Sequence, residues 1–308
     1  MRITITGGAG YIGSMLAQEL SENHGHDVTV FDNFYYNQDI LTDSLFYGER
    51  SYVRLFNEDI LNWSVALTDH IANCDVLIPL AALVGAPLCD KNVDLAQKLN
   101  ADWFRDLIDS KILTDQTIIF ANSNSGYGSN PDICTEDTPL NPLSHYARTK
   151  CEAESYLGHY PKSIRFRLAT VFGQSHRTRT DLLVNNLVQQ AMLNKHIDVF
   201  DGHFRRNYIH VRDIVSAFVF AIENRDKMHG EIYNLGNDEI NTTKLELVKK
   251  VCAATDATYK ECDDKTDPDK RDYVVSSQKI QDLGFRPEKS LGCGIKEMIN
   301  YYNMFRNN

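Results

Sequence analysis

The N-terminal stretch MRITITGGAGYIGSMLAQEL, residues 1–20, changes period twice. Ile3 and Ile5 sit in a β-branched alternation that reads as a strand, a glycine cluster follows, and Ile12, Leu16 and Leu20 then fall on one helical face. Gly7, Gly10 and Gly13 have the spacing G-x-x-G-x-x-G, a variant of the dinucleotide fingerprint with one more residue between its first two glycines. Gly7 permits the tight turn, and Gly10 lets the backbone approach a pyrophosphate. Gly13 lets the helix lie close to the sheet with its amino end toward the anion.

Outward from this unit the alternation repeats. The next strand, DVTVFDN, ends in Asp32, an acid placed to accept hydrogen bonds from adenosine ribose hydroxyls and to repel a 2′-phosphate, so NAD is expected rather than NADP. YVRLF, DVLIPLAAL and TIIFAN read as further buried strands, with a helical stretch from about Lys91 to Asp109. Repeated units of this kind imply an α/β fold, a Rossmann-type doubly wound parallel sheet with helices on both faces. Ligands gather beyond the carboxyl ends of such strands. The residues found there are Gly7 to Gly13, Asp32, Asp59, Ala81 with Ala82, and Ser123.

Composition narrows the function. A 308-residue chain has room for one large α/β unit with a smaller lobe. A net charge of -10 argues against broad binding to nucleic acid or anionic membranes. Seven irregularly spaced cysteines without a C-x-x-C indicate reduced thiols rather than a disulfide framework or a zinc site. His24 and His26 lack further ligands at metal-binding spacing, so no metal is expected. The first strand begins at Arg2, no secretory signal fits ahead of it, and no apolar run reaches the ~18 residues of a spanning helix. A soluble, cytoplasmic protein is expected.

In NPLSHYARTKCEAE, Tyr146 and Lys150 lie one helical turn apart. A Y-x-x-x-K is common by chance. Ser123, however, follows a strand and can meet the pair at the sheet edge if SHYARTKCEAESYL is a helix packed there. The lysine and a positive nicotinamide ring would then lower the tyrosine pKa from ~10 towards neutrality, making Tyr146 a general base for alcohol oxidation. Ser123 would hydrogen-bond the same oxygen as it becomes a carbonyl.

TGGAGYIG, the LAAL strand end, SNSGYG and YARTK resemble the extended short-chain dehydrogenases/reductases, and RLATVFG, RRNYIHVRD and YNLGN carry the resemblance into the second half. That family contains the NAD-dependent sugar-nucleotide epimerases, dehydratases and 4-oxidoreductases. The resemblance implies a catalytic set of Ser123, Tyr146 and Lys150, with Lys150 also holding the nicotinamide ribose. It assigns Gly7, Gly10, Tyr11, Ile12, Gly13, Asp32, Asn33, Asp59, Ile60, Ala81 and Ala82 to the cofactor, Asp59 and Ile60 flanking the adenine. Asn100 matches an asparagine that supports the active-site sheet and helix.

In the second half, TRTDLLVNNLVQQAMLNKHIDVFDG reads as one amphipathic helix with a strand after it, and FRRNYIHVRD returns to the sheet. The expected division is a cofactor domain of residues 1–170, rejoined by 207–230, and a C-terminal substrate lobe of 171–206 and 231–308. By resemblance, Arg206 and Arg271 clamp a nucleotide diphosphate, a task suited to planar guanidinium groups. Arg205 is the alternative clamp, and pairing with Asp213 or Asp272 the bland one. Asn185 would approach the nucleotide base, whereas HVRD would position the following helix.

The 4,6-dehydratases of this family carry an acidic pair after the catalytic Ser/Thr; Asn124 and Ser125 stand there instead, on the expected substrate side, and argue against dehydration. Hydride removal from C4 then leads either to epimerisation or to a released 4-keto sugar. Thr170 replaces an asparagine of the usual epimerases that helps hold the sugar nucleotide, and several loops are closely similar to the branch with bacterial GDP-heptose 4-dehydrogenases. A non-catalytic NAD-binding regulator would not need the Ser-Tyr-Lys set. By resemblance a homodimer is expected, packed through the helices carrying Trp103, Leu107, Ala153 and Tyr156, residues whose composition fits the core equally well.

Overall fold

The computed structural model describes residues 1–36, 53–262 and 271–306. Tyr52 of YVRLF and the first four residues of DPDKRDY lie outside them. The first half runs β1 (Arg2–Thr6), α1 (Gly13–Gln18, continued by a π turn Glu19–Asn23), β2 (Asp27–Asp32), β3 (Val53–Asn57), α2 (Val65–Asn73), β4 (Val76–Pro79), α3 (Ala86–Lys91), α4 (Val93–Gln97), α5 (Trp103–Asp109) and β5 (Thr117–Ser123). There follow the short β6 (Ile133–Cys134), α6 (His145–Leu157), β7 (Ser163–Leu168) and β8 (Thr170–Phe172). The remainder comprises α7 (Leu183–Asn194), β9 (His196–Val199), β10 (Arg205–His210), α8 (Val211–Glu223), α9 (Arg225–Met228) and β11 (Ile232–Leu235). The chain closes with β12 (Asn237–Thr243), α10 (Lys244–Thr255), β13 (Thr258–Glu261), β14 (Val274–Val275), α11 (Gln278–Asp282) and α12 (Leu291–Arg306).

Seven strands form one parallel sheet in the order β3-β2-β1-β4-β5-β7-β11. The chain reverses direction across the sheet between β1 and β4, the switch point at which such sheets hold ligands. Every residue of β4 and β7 is buried, as required of strands covered on both faces. On one face Leu16, Leu20, Ile214 and Phe218 pack against Ile3, Val28 and Phe166. On the other, Leu67, Phe104, Leu107, Ala153 and Leu157 pack against Leu77, Ile118 and Phe120.

The lobe has its own core, built from α7, α10 and α12 around Phe172, Leu187, Tyr208, Leu247 and Ile295. Its sheet runs β12-β10-β8. Here the structure corrects two expectations. β10 pairs antiparallel with β12 rather than returning to the main sheet, and β11, from the YNLGN segment, supplies the seventh strand through its parallel pairing with β7. α8 does pack on the main core, as Ile214, Ala217 and Phe218 show.

The helix expected from Lys91 to Asp109 is interrupted at Asn92, whose φ and ψ are -135 and 56, and it carries a π turn at Lys98–Asp102. Trp103, Leu107 and Ala153, expected on a dimer face, are fully buried core residues. Outward from α5 and α6 stand Arg105, Arg148 and Glu152 instead. All seven cysteines are free. Among the described residues no helix is long and apolar enough to cross a membrane.

Candidate active site

At the carboxyl edge of the sheet a cavity of about 1580 Å³ opens between sheet and lobe. A single small-ligand cleft is ~300–1,000 Å³, so this one has room for two ligands side by side. Gly7, with φ +72, lies so close to the β4 end that a Cβ would stand 2.4 Å from the Ala81 nitrogen. At Gly13 a Cβ would meet the Gly7 carbonyl oxygen at 2.6 Å. Any side chain at either place would push the turn away from strand or helix. Gly7, Gly10, Tyr11, Ile12 and Gly13 all line the cavity, as do Ala81 and Ala82.

Asp32 links β2 to this turn. Its carboxylate accepts the Ala9 and Phe34 N–H groups, each at 2.9 Å. Burial raises its pKa, and these two donors oppose the rise. Beside it, the Asn33 amide donates to Asp59 at 3.2 Å, and Asp59 caps the turn that starts at Ile60. Asp32, Asn33, Asp59 and Ile60 together wall one end of the cavity.

Toward the other end stand Ser123, at the tip of β5, and Tyr146 and Lys150 on α6. Ser144 caps α6 by accepting the Ala147 N–H at 3.2 Å. The Lys150 ammonium lies over the Phe120 ring, 4.1 Å from its centroid. Burial pushes its pKa down to about 7, against partial opposition from Cys151 and Glu154. Burial likewise pushes the Tyr146 phenol up to about 12, the Arg179 guanidinium being the largest opposing influence. The expected lowering of the phenol by its lysine neighbour is therefore outweighed within the protein's own groups, because desolvation disfavours both charged forms.

A buried network fixes α6 against the sheet. Glu154, on the same helix face as Tyr146 and Lys150, accepts from Arg167 at 2.7 Å and from the Asn122 amide at 2.6 Å. Arg167 in turn donates to the Tyr127 hydroxyl at 2.9 Å. Asn100, in the π turn, exchanges two 2.8 Å hydrogen bonds with the Leu83 backbone and so anchors the segment after β4.

Three residues expected on the substrate side do not line the cavity: Asn124, Ser125 and Asn185. The chain turns into a 3-10 helix at Asn124–Tyr127, which carries Asn124 and Ser125 into the interior. Asn185 is 2% exposed and braces a loop, accepting from Gly173 N at 3.0 Å and donating to the Arg179 carbonyl at 2.9 Å. Its neighbour Asn186 faces the cavity. Thr170, Arg206 and Arg271 line it as expected. Arg205 instead pairs with Asp272 at 3.0 Å. Asp213 accepts the Glu288 and Lys289 N–H groups, a positioning task in keeping with the reading of HVRD.

Sequence reading missed Arg177 and Arg179. Both line the cavity from the loop before α7, because the helix starts only at Leu183. Arg177 stacks 3.9 Å above the Tyr36 ring, and Arg179 holds Asp181 at 2.5 Å. The loop is tied to the glycine turn, since the Tyr11 hydroxyl donates to the Gly173 carbonyl at 2.6 Å and Ser175 to the Tyr11 carbonyl at 2.5 Å. HRTRTD, with two alternate arginines in an acidic chain, was the available signal.

Residues 3–236 match the NAD dependent epimerase/dehydratase family, and the chain belongs to it. It is 27% identical to an uncharacterized UDP-glucose epimerase, YtcB, of Bacillus subtilis, over 98% of each chain. It is 28% identical to a UDP-glucose 4-epimerase of Corynebacterium glutamicum, over 94% of this chain and 91% of that one. The structure of a UDP-glucuronic acid 4-epimerase from Bacillus cereus, in complex with UDP-glucuronic acid and NAD, superposes with a TM-score of 0.83 at 26% identity, covering 99% of this chain and 100% of the other. The chain is thus an NAD-dependent enzyme. Its glycine turn, packed too closely for side chains, and the Asp32 carboxylate on the cavity wall fit that cofactor.

Proposed function

We propose that this enzyme oxidises C4 of a sugar carried on a nucleoside diphosphate. The observation that carries the reading is the placement of Ser123, Tyr146 and Lys150 on one wall of the cavity whose other end is the glycine turn and Asp32. NAD+, when bound, accepts the hydride and adds a positive charge near the phenol. Tyr146 takes the proton from the sugar hydroxyl, which requires its phenolate. Arg179 and Arg271 both favour that phenolate, and Lys150 adds charge whenever it is protonated. Ser123 donates to the oxygen that becomes the carbonyl. Arg206 and Arg271 supply the planar cations that suit a diphosphate.

Neutral Asn124 and Ser125, both away from the cavity wall, disfavour 4,6-dehydration. Return of the hydride to the other face would make the enzyme a 4-epimerase, a reading supported by the activities named for its relatives. Release of the 4-keto sugar would make it a 4-dehydrogenase of the GDP-heptose type, supported by Thr170 and the loops noted above. Incubation with NAD+ and a panel of GDP-, UDP-, CDP- and dTDP-sugars, GDP-heptoses included, tests the proposal. A C4-inverted product without net NADH gives the epimerase, a 4-keto product with persistent NADH gives the dehydrogenase, and no C4 chemistry refutes both. We further propose a cytoplasmic homodimer joined through the outer faces of α5 and α6; a monomer mass by light scattering would refute the assembly.

A further inference from the structure

Ser123 does not stand alone at the tip of β5. Its Oγ accepts two hydrogen bonds from one residue: the Ser125 hydroxyl at 2.9 Å and the Ser125 backbone N–H at 3.2 Å. A serine hydroxyl has two acceptor lone pairs and one proton to donate. Both lone pairs of Ser123 are therefore engaged on the protein side, and its proton has no acceptor among the described residues. Ser123 is half-exposed to the cavity, whereas Ser125 is 1% exposed and takes no part in the wall.

We propose that Ser125 is a positioning residue that makes Ser123 a one-way hydrogen-bond donor. With its oxygen saturated by Ser125, Ser123 can give its proton only toward the cavity, where the reacting sugar oxygen lies in the reading above. It is thereby matched to an oxygen turning into a carbonyl and barred from accepting that oxygen's own proton, which is left to Tyr146. The Ser125 hydroxyl also polarises the Ser123 O–H, since hydrogen bonds in a chain strengthen one another. The short turn at Asn124–Tyr127 brings Ser125 back onto Ser123, so the arrangement is built by two residues of local sequence. It explains why a serine that does not line the cavity occupies the second position after Ser123.

This inference rests on the proposed role of Ser123, and a double-mutant cycle separates the two. Turnover and KM would be measured for S123A, S125A and S123A/S125A with the sugar nucleotide found active in the panel, each variant checked for unchanged melting and NAD+ binding. Removing a direct donor to a developing oxyanion costs roughly 100- to 1,000-fold in kcat. S125A, acting at one remove, is expected to lose roughly 10-fold in kcat with KM unchanged, and the double variant to be no slower than S123A. S125A at wild-type kcat, or a double variant slowed by the product of both single effects, would overturn the role of Ser125 while leaving that of Ser123. Wild-type turnover by S123A would overturn both.

Discussion

Glu154 and Arg167 face each other where α6 meets β7, each side chain 5% exposed, with the guanidinium Nη2 2.7 Å from the carboxylate. Glu154 also receives the Asn122 amide, and Asn122 accepts the Ser123 N–H at 2.8 Å. One carboxylate therefore ties the strand that presents Ser123 to the helix that presents Tyr146 and Lys150. The geometry of the site depends on an ion pair that does not line the cavity.

Substituting Glu154 by Gln should leave Arg167 buried with an uncompensated charge, at a cost of about 3–5 kcal/mol. Urea denaturation measures that loss. Because Glu154 raises the Lys150 pKa, its neutralisation lowers that pKa further. Any part of turnover that needs the ammonium should then fall away at lower pH than in the wild type. A variant of wild-type stability with an unmoved pH profile would show that the network is dispensable.

Lys150 itself is stored at a cost. Burial lowers its pKa from 10.5 to about 7. Below about pH 7 it is protonated in both folded and unfolded chains, and the penalty is present in full. Between about 7 and 10.5 the unfolded chain binds the extra proton, so stability rises with pH. Lys150→Met should melt above the wild type at pH 6, with a gap that closes as the pH approaches 10, while turnover is lost. Equal melting curves at pH 6 would contradict the buried, depressed lysine.

The two arginines of β10 separate by side. Arg206 lines the cavity, and Arg205 pairs with Asp272 at the half-exposed surface. Arg206→Ala should raise KM for the sugar nucleotide by roughly 10-fold or more, as expected for loss of a charged diphosphate contact. Arg205→Ala should leave KM near wild type, because exposed ion pairs contribute only about 0–1 kcal/mol. Steady-state kinetics on the two variants decide between them, and the reverse ranking would move the diphosphate to Arg205.

Much of this was readable in the chain because the deciding signals are local. The turn after β1 needs small residues at fixed spacing, and the helix read across SHYARTKCEAESYL forms at His145–Leu157, started by the Ser144 cap. What could not be read depends on distant partners. β10 has the pattern of a sheet strand, yet its neighbours are β8 and β12 in the lobe. Trp103 and Leu107 have the composition of an interface, but Ile60 and Phe120 pack with them on the same face of the main sheet. Arg177 and Arg179 are hidden in the sequence because TRTDL reads as the first turn of a helix that starts only at Leu183. There, Arg179 binds the nearby Asp181, and the Arg179 backbone carbonyl is held by Asn185.

Asn185 offers the sharpest test of position against contact. Its side chain reaches three backbone groups, Gly173 N, Gly173 O and Arg179 O, at 3.0, 3.3 and 2.9 Å. Truncation to Ala leaves those groups short of partners, a loss of about 1–3 kcal/mol. The loop carrying Arg177 and Arg179 would then loosen against the glycine turn. Asn185→Ala should therefore melt several degrees lower and weaken both NAD+ and sugar-nucleotide binding, since the loop contacts both ends of the cavity. Asn186→Ala removes a wall residue that holds a single backbone group, the Thr180 carbonyl at 3.1 Å; it should lower the melting temperature less than Asn185→Ala, keep NAD+ affinity and raise KM for the sugar nucleotide. Calorimetric titration with each ligand, run beside thermal melts, distinguishes the two. An Asn185 variant that melts normally and loses only sugar-nucleotide affinity would return that residue to direct contact with the substrate.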